Sequence, residues 1–369
     1  MSETVAVFRI GQLGDTIAAI PAIAAIRATY ADSRMILITD EHPGCKFVSA
    51  WEILGATGMF SEVFFYNPKQ SCARQLLNFF FLARKIRQIR ISILFYLAPS
   101  PRDPQQVRRD RIFFQKVCRI KKCFGLETSD HLVGLRDDSG QLVRLPSETE
   151  RLLSIVESDC QSISPRCATR VTLPIGDKER SRIDALWEEE QLSRTKGPII
   201  GVGSGSKMQA KRWPVERFIK VGKFLINRLP EARIILFGGA EDYQLSSTIC
   251  SALGPMTENW AGRLTVLETA EALKRCDLYL GNDTGVMHLA AAVGTRCVAL
   301  FSARDNPGKW EPSGEGHIVL RKYVPCEGCL LVECRENDRA CLKDITPEEV
   351  FDACLVCLDV PRFDSLAAG

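Results

Sequence analysis

The sequence predicts an α/β protein of two separately wound domains, and three observations carry that prediction. Short apolar runs alternate with segments of helical spacing in both halves of the chain. Glycine-bearing turns stand where an apolar run gives way to a helix, the place where open α/β sheets bind ligands. The chain has 369 residues, long for one domain and comfortable for two. With 46% hydrophobic and 25% charged residues, the composition is that of a globular protein and excludes bulk disorder.

The elements follow in order. Residues 5–10 read as a buried strand, 16–30 as a helix rich in Ala and Ile, and 35–39 as a second strand, which is the rhythm of a parallel sheet. Residues 61–66 and 91–97 are further strands, with a helix over 73–88 between them that carries Phe79, Phe80 and Phe81. Three prolines in 99–104 interrupt regular structure, and 108–123 reads as a basic helix. The region 136–181 lacks a clear strand–helix rhythm and is expected to hold the interdomain link. This places an N-terminal domain at 1–180 and a C-terminal one at 181–369, with the last helix expected to pack back on the first domain. Residues 184–192 are expected as a helix. The pattern then restarts: strands at 198–203, 233–237, 278–280 and 297–301 alternate with helices at 215–228, 269–275 and 286–293.

Charge is unevenly spread. The net charge is only +3, yet residues 69–122 hold fourteen Lys and Arg against Asp103 and Asp110, a local +12. That asymmetry points to an anionic partner, with Arg84, Lys85, Arg87, Arg108 and Arg109 as candidate contacts. The longest apolar stretches, 76–83 and 91–98, are too short to span a bilayer. Residues 5–10 have no basic flank or cleavage site, so no secretory signal is expected and a cytoplasmic place is. The fifteen cysteines are then expected as free thiols. Cys326, Cys329, Cys334 and Cys341 could hold zinc, but their spacing is not a paired CxxC…CxxC, and free thiols are the preferred reading.

Three turns carry the chemistry. In Gly11-Gln-Leu-Gly-Asp-Thr, Asp15 stands at a helix start and reads equally as a helix cap and as a functional carboxylate. In the second turn, Ser204 and Ser206 precede Lys211 and Arg212, and small hydroxyls beside cations suit a phosphate. In the third, Asp283 or Thr284 is placed to cap a helix whose first N–H groups would face a phosphate oxygen, and His288 follows one turn later. No Asp-x-Asp triplet supplies a clamp for a metal–diphosphate pair, so neither metal nor cofactor is expected.

Taken together, Leu13-Gly-Asp15, Lys211-Arg-Trp-Pro, Gly238-Gly-Ala-Glu241 and Gly281-Asn-Asp-Thr-Gly-Val-Met-His-Leu-Ala-Ala-Ala resemble glycosyltransferase family 9, the ADP-heptose:lipopolysaccharide heptosyltransferases. The resemblance runs from about residue 5 to about residue 350. It implies a GT-B fold, two Rossmann-like domains facing across a cleft, with the acceptor on the N-terminal domain and a nucleotide-diphospho-sugar on the C-terminal one. It implies an inverting, metal-independent transfer of a sugar such as heptose to a lipopolysaccharide-type or other glycan acceptor. Asp15 would be the base. Lys211, with Ser204 or Ser206, would hold the diphosphate; Asp283, Thr284, Gly285 and His288 would line the same pocket, and Glu241 would lie near the ribose or base. Peripheral contact with the anionic inner membrane is the preferred use of the basic segment. Two other classes stay open: a nucleotide-sugar epimerase, which needs no acceptor, and a non-enzymatic binder of anionic polymers. No motif for nucleic acid is present.

Overall fold

The computed structural model describes residues 3–42, 48–66, 72–127, 133–158, 171–334 and 337–359. The chain divides into two compact units, one of Met1–Pro174 with Asn306–Ser313, the other of Ile175–Asp305 with Gly314–Gly369. Each is a parallel sheet with helical connections, as the alternating pattern predicts.

In the first unit, β1 (Thr4–Phe8), β2 (Arg34–Asp40), β3 (Glu62–Tyr66), β4 (Ile93–Tyr96) and β5 (Lys122–Phe124) lie in the order β3-β2-β1-β4-β5, all parallel. This is the order of a Rossmann-type half, and it reverses direction between β1 and β4. The helices are α1 (Leu13–Thr29), α2 (Ala50–Leu54), α3 (Cys72–Ile89), α4 (Pro104–Arg111) and α5 (Glu148–Glu157). Alternate strand residues build one core: Ala6 and Phe8 of β1, Ile36 and Ile38 of β2, and Leu94 and Tyr96 of β4 pack with Leu82, Ala83 and Ile86 of α3. Phe114 closes this core against the stacked rings of Phe8 and Tyr96, whose centroids are 4.7 Å apart.

The basic stretch 108–123 is not one helix. Asp103 caps α4 by accepting from the Gln105 N–H at 2.7 Å, and Pro104 takes the first helical position, where its missing N–H costs nothing. The chain then widens into a π-helix over Ile112–Val117 and ends as edge strand β5. Nor is 136–181 a bare link. It contains α5, capped reciprocally by Ser147 and Glu150 and packed on α1. Its capping box was present in the sequence as Ser-Glu-Thr-Glu.

In the second unit, β6 (Ile199–Gly203), β7 (Arg233–Leu236), β8 (Thr257–Asn259), β9 (Leu278–Asn282), β10 (Cys297–Phe301) and β11 (Ile318–Arg321) lie in the order β11-β10-β9-β6-β7-β8, again all parallel. Renumbered from β6, this too is the Rossmann order, with its switch point between β6 and β9. Helices α6 (Asp177–Glu189), α7 (Val215–Arg228), α8 (Tyr243–Leu253), α9 (Val266–Lys274), α10 (Gly285–Ala292), α11 (Ala340–Lys343) and α12 (Pro347–Asp359) complete it. Val350, Ala353, Cys354 and Cys357 join Val221 and Leu225 of α7 over the β9 and β10 side chains of the second unit.

Candidate active site

The two switch points gather most of the residues singled out by sequence. In the first unit the strand β1 runs out through Arg9 into Gly11, whose φ of +111° is a conformation that favours glycine. A Cβ there would also lie 2.8 Å from Asp15 Oδ2. Asp15 is the third residue of α1, and its Oδ2 accepts from the Gln12 N–H at 2.7 Å, so the capping role is real. The other oxygen, Oδ1, lies 4.0 Å from Arg9 Nη2. Asp15 keeps 22% side-chain exposure while Arg9 is fully buried. One oxygen thus fixes the helix start and the other lies beside a cation.

Arg9 escapes a sequence reading because it interrupts an apolar run and resembles an edge charge. Its Nη1 donates to Leu97 O at 2.5 Å, at the end of β4. Burial lowers the guanidinium's pKa from its ordinary value, and the fields of Asp15, Glu148 and Asp40 oppose that shift. Asp40, at the end of β2, accepts from Gly11 N–H at 3.3 Å and meets His42 at 2.9 Å. Glu148 is buried and held by both Arg151 donors at 2.7 Å. The turn therefore sits in a network of fixed charges at the carboxyl ends of β1, β2 and β4.

In the second unit, β6 ends in Gly203 and β9 in Gly281-Asn282. Both glycines make room for the Tyr279 side chain: a Cβ on Gly203 would lie 1.9 Å from its hydroxyl, and one on Gly281 2.4 Å. Asn282, fully buried, donates to Ser204 O at 2.8 Å and Gly205 O at 3.2 Å and accepts from the Trp213 N–H at 3.1 Å. It ties the hydroxyl turn, the Lys211-Arg-Trp segment and β9 into one piece. Ser204 is 1% exposed, and among the described residues its Oγ has no hydrogen-bond partner. Arg212 Nε donates to Ser206 O at 2.6 Å, fixing the far side of the same turn.

Lys211 and Asp283 form an ion pair at 2.6 Å, with side chains 14% and 10% exposed. Thr284 takes an extended conformation as the N-cap of α10, so the first N–H groups of α10 open from this point. Gly285 is the first helical residue. His288 lies one turn in and is buried; burial pulls its pKa down to about 4, against the opposing field of Asp283, while Lys211 adds to the fall. The imidazole is therefore neutral at ordinary pH.

Ser204, Ser206, Lys211, Asp283, Thr284, Gly285 and His288 are brought to one strand end. Glu241 differs: it is exposed, whereas its neighbour Asp242 turns inward. Asp242 accepts from the Gly239 N–H at 2.9 Å and fills space that Gly205 leaves, where a Cβ would fall 2.0 Å from its Oδ1. Burial raises its pKa, while the Gly239 N–H, Arg212 and Lys207 pull it back. The signal that could have found Asp242 was its spacing, three residues after Gly239, which suits a cap.

Among the described residues no group of three or more His, Cys, Asp or Glu is placed to hold a metal ion. Cys326, Cys329, Cys334 and Cys341 are free thiols, with Cys329 exposed and the others half-buried. Burial raises the Cys341 thiol pKa above its ordinary value.

Residues 164–339 match the sequence profile described as Glycosyltransferase family 9 (heptosyltransferase). This span contains every candidate residue of the second unit. Just under half of the chain is thus similar to glycosyltransferase family 9. Curated relatives include lipopolysaccharide heptosyltransferase 2 of Salmonella typhimurium, 31% identical over 185 residues, covering 45% of this chain and 52% of that protein. Lipooligosaccharide heptosyltransferase 2 of Haemophilus influenzae is 32% identical over 172 residues, covering 44% of this chain and 48% of the other. The chain thus spans about half the length of the curated relatives it matches. Solved structures extend the likeness to both units. A family 9 glycosyl transferase from Veillonella parvula superposes with a TM-score of 0.72 at 19% identity, covering 97% of this chain and 98% of that one. The E. coli ADP-heptose lps heptosyltransferase II gives 0.64 at 19% identity over 96% and 98%. At such identities the likeness is one of fold: each unit is Rossmann-like, and the fold class is GT-B.

Proposed function

We propose that this protein is an inverting glycosyltransferase that moves a sugar, heptose from ADP-heptose on the family likeness, onto a lipopolysaccharide-type acceptor. The observation that carries the reading is the strand-end cluster of the second unit. A buried Ser204 hydroxyl, the Lys211–Asp283 pair and the opening of α10 meet at a switch point, within the span that matches family 9. Helix N–H groups and a cation are what a nucleoside diphosphate requires.

In the proposed step an acceptor hydroxyl attacks the anomeric carbon from the side opposite the diphosphate. The new C–O bond forms as the bond to the diphosphate oxygen breaks, and that electron pair leaves with the nucleoside diphosphate. Asp15 takes the hydroxyl proton through its oxygen beside Arg9. The leaving group gains charge, which Lys211 and the α10 N-terminus stabilise. Asp283 holds the Lys211 ammonium in place, and the neutral His288 can donate or accept one hydrogen bond without adding charge. Glu241 or its neighbour Asp242 contacts the nucleoside in this reading. A cytoplasmic enzyme follows from such a donor, and the basic segment of the first unit faces a phosphorylated acceptor or the membrane that carries it.

The test is product analysis with ADP-heptose, with and without a heptose-accepting glycan. Acceptor-dependent transfer that survives EDTA is expected. Sugar conversion without acceptor would favour an epimerase instead. Lys211→Ala should weaken ADP binding about tenfold or more, because a charge-assisted contact to phosphate is lost; unchanged affinity removes Lys211 from the site.

A further inference from the structure

We propose that the outer face of α3 and the adjoining α4–π segment is a docking surface for an anionic lipid bilayer. No helix among the described residues is long and apolar enough to cross a membrane, so attachment would be peripheral. The two elements lie side by side. The Phe79 and Phe113 rings meet at 5.1 Å, and Arg87 Nε donates to Val117 O at 2.7 Å.

The amphipathic order of α3 fixes which residues face out. Leu82, Ala83 and Ile86 enter the core of the first unit. At about 100° per residue, Leu77, Phe81, Arg84 and Gln88 then follow one opposite stripe, with Phe80 on its flank. Phe80 and Phe81 are 63% and 62% exposed, Leu77 56%, and Ile112 on the neighbouring segment 50%. Large apolar side chains held in water this close together signal a surface that meets something apolar.

The charge of the same face selects the partner. Helix α3 contains no acidic residue. Of the two carboxylates between residues 72 and 122, Asp103 caps α4, and Asp110 is buried and held by Tyr96, Arg102 and Arg109. The exposed charges around the aromatics are therefore cationic: Arg84, Lys85, Arg87, Arg108 and Lys116. A second copy of this face would bring like charges together. A hydrated polyanion would satisfy the arginines and leave Leu77, Phe80, Phe81 and Ile112 in water. An anionic bilayer surface supplies phosphate at the level of the cations and hydrocarbon for the rings.

This surface belongs to the transferase reading only in its use, since a lipid-linked acceptor lies on such a membrane; binding to lipid is measured without any transfer. The experiment is co-sedimentation of the full chain with vesicles of phosphatidylcholine alone and of phosphatidylcholine with phosphatidylglycerol, at low and high salt. Pelleting is expected with the anionic vesicles, falling as salt rises. Phe80→Ser with Phe81→Ser, and separately Arg84→Glu with Arg108→Glu, should each weaken partitioning at least about tenfold. Thermal unfolding checks that the variants fold. Should either fail, hydrogen exchange on the unaltered chain replaces it: anionic vesicles should protect residues 77–88 and 108–117. Three outcomes overturn the proposal: no pelleting with anionic vesicles, equal pelleting with neutral ones, or an aromatic variant that binds like the parent. The last would leave a purely ionic surface. Transfer by the unaltered chain to a water-soluble acceptor is read separately, so a failure of docking and a failure of the transferase reading are told apart.

Discussion

Asp15 offers one oxygen to the backbone and holds the other beside Arg9, so under the proposed base role its two duties are separable by substitution. Asp15→Asn keeps an acceptor for the Gln12 N–H, so α1 should retain its start and the chain its stability to within about 1 kcal/mol. The amide cannot take a proton, so transfer should fall by about a hundredfold or more while donor binding stays near normal. Near-normal turnover in a steady-state assay would remove Asp15 from the base role. His288 makes a different kind of prediction. Its pKa is about 4 in the folded chain against an ordinary 6.5, so the unfolded chain binds the extra proton between those values. Stability from this group is complete above about pH 6.5 and is lost as pH falls toward 4, by up to about 1.4 kcal/mol per unit. Melting temperatures of the parent and of His288→Gln, followed from pH 7 to 4, should diverge, with the parent falling more steeply. Parallel curves would contradict the buried neutral imidazole.

At the scale of elements, the second-unit cluster depends on glycines at or next to the ends of β6 and β9. Gly203 and Gly281 lie beside each other in the β6–β9 pair, and both face the Tyr279 side chain. Gly203→Ala would drive a methyl group into the tyrosine hydroxyl and force either the ring or β6 to move. We expect a loss of about 1–3 kcal/mol from overpacking and a weakened donor site. Tyr279→Phe in the same chain should recover part of that loss, since the atom at 1.9 Å is gone while the ring carbon at 2.9 Å remains. Urea unfolding of the two single variants and the double variant measures the coupling; strict additivity would show that the hydroxyl is not the obstacle. The same logic explains the glycine pattern of the third turn. Gly281 there serves the packing of Tyr279 as much as any ligand.

For the whole molecule, the division into units is not a single cut in the sequence. Asn306–Ser313 belongs to the first unit although it follows ten strands. Leu145 N–H donates to Pro307 O and Glu148 N–H to Lys309 O, both at 2.9 Å, and the Asn306 amide donates to Val143 O at 2.9 Å. A fragment ending at Pro174 therefore loses partners for several backbone groups and uncovers the α5 entry. Expressed alone, residues 1–174 should bind a hydrophobic dye and melt below the first transition of the full chain. A fragment as stable as the full chain would show the segment to be dispensable.

The sequence by itself determined the α/β class, most strands, the helices α1, α3, α7, α9 and α10 to within a few residues, and Asp15, Ser204, Ser206, Lys211, Asp283, Thr284, Gly285 and His288 among the residues at the two switch points. Those features are local: strand and helix periods are written in neighbouring residues, and turns are marked by glycine and hydroxyl side chains. Spacing from Gly239 marks Asp242 as a cap, but the room it fills beside Gly205, 37 positions earlier, is not written in neighbouring residues. Nor could local pattern show that Lys211 is paired with Asp283, that Arg9 is buried beside Asp15, or that 306–313 joins the first unit. The helix expected over 108–123 ended early because residues 122–124 gain a ladder beside β4 that no local signal announces. Each of these was decided by contact between residues distant in the chain, where burial and charge pairing override what neighbours alone prefer.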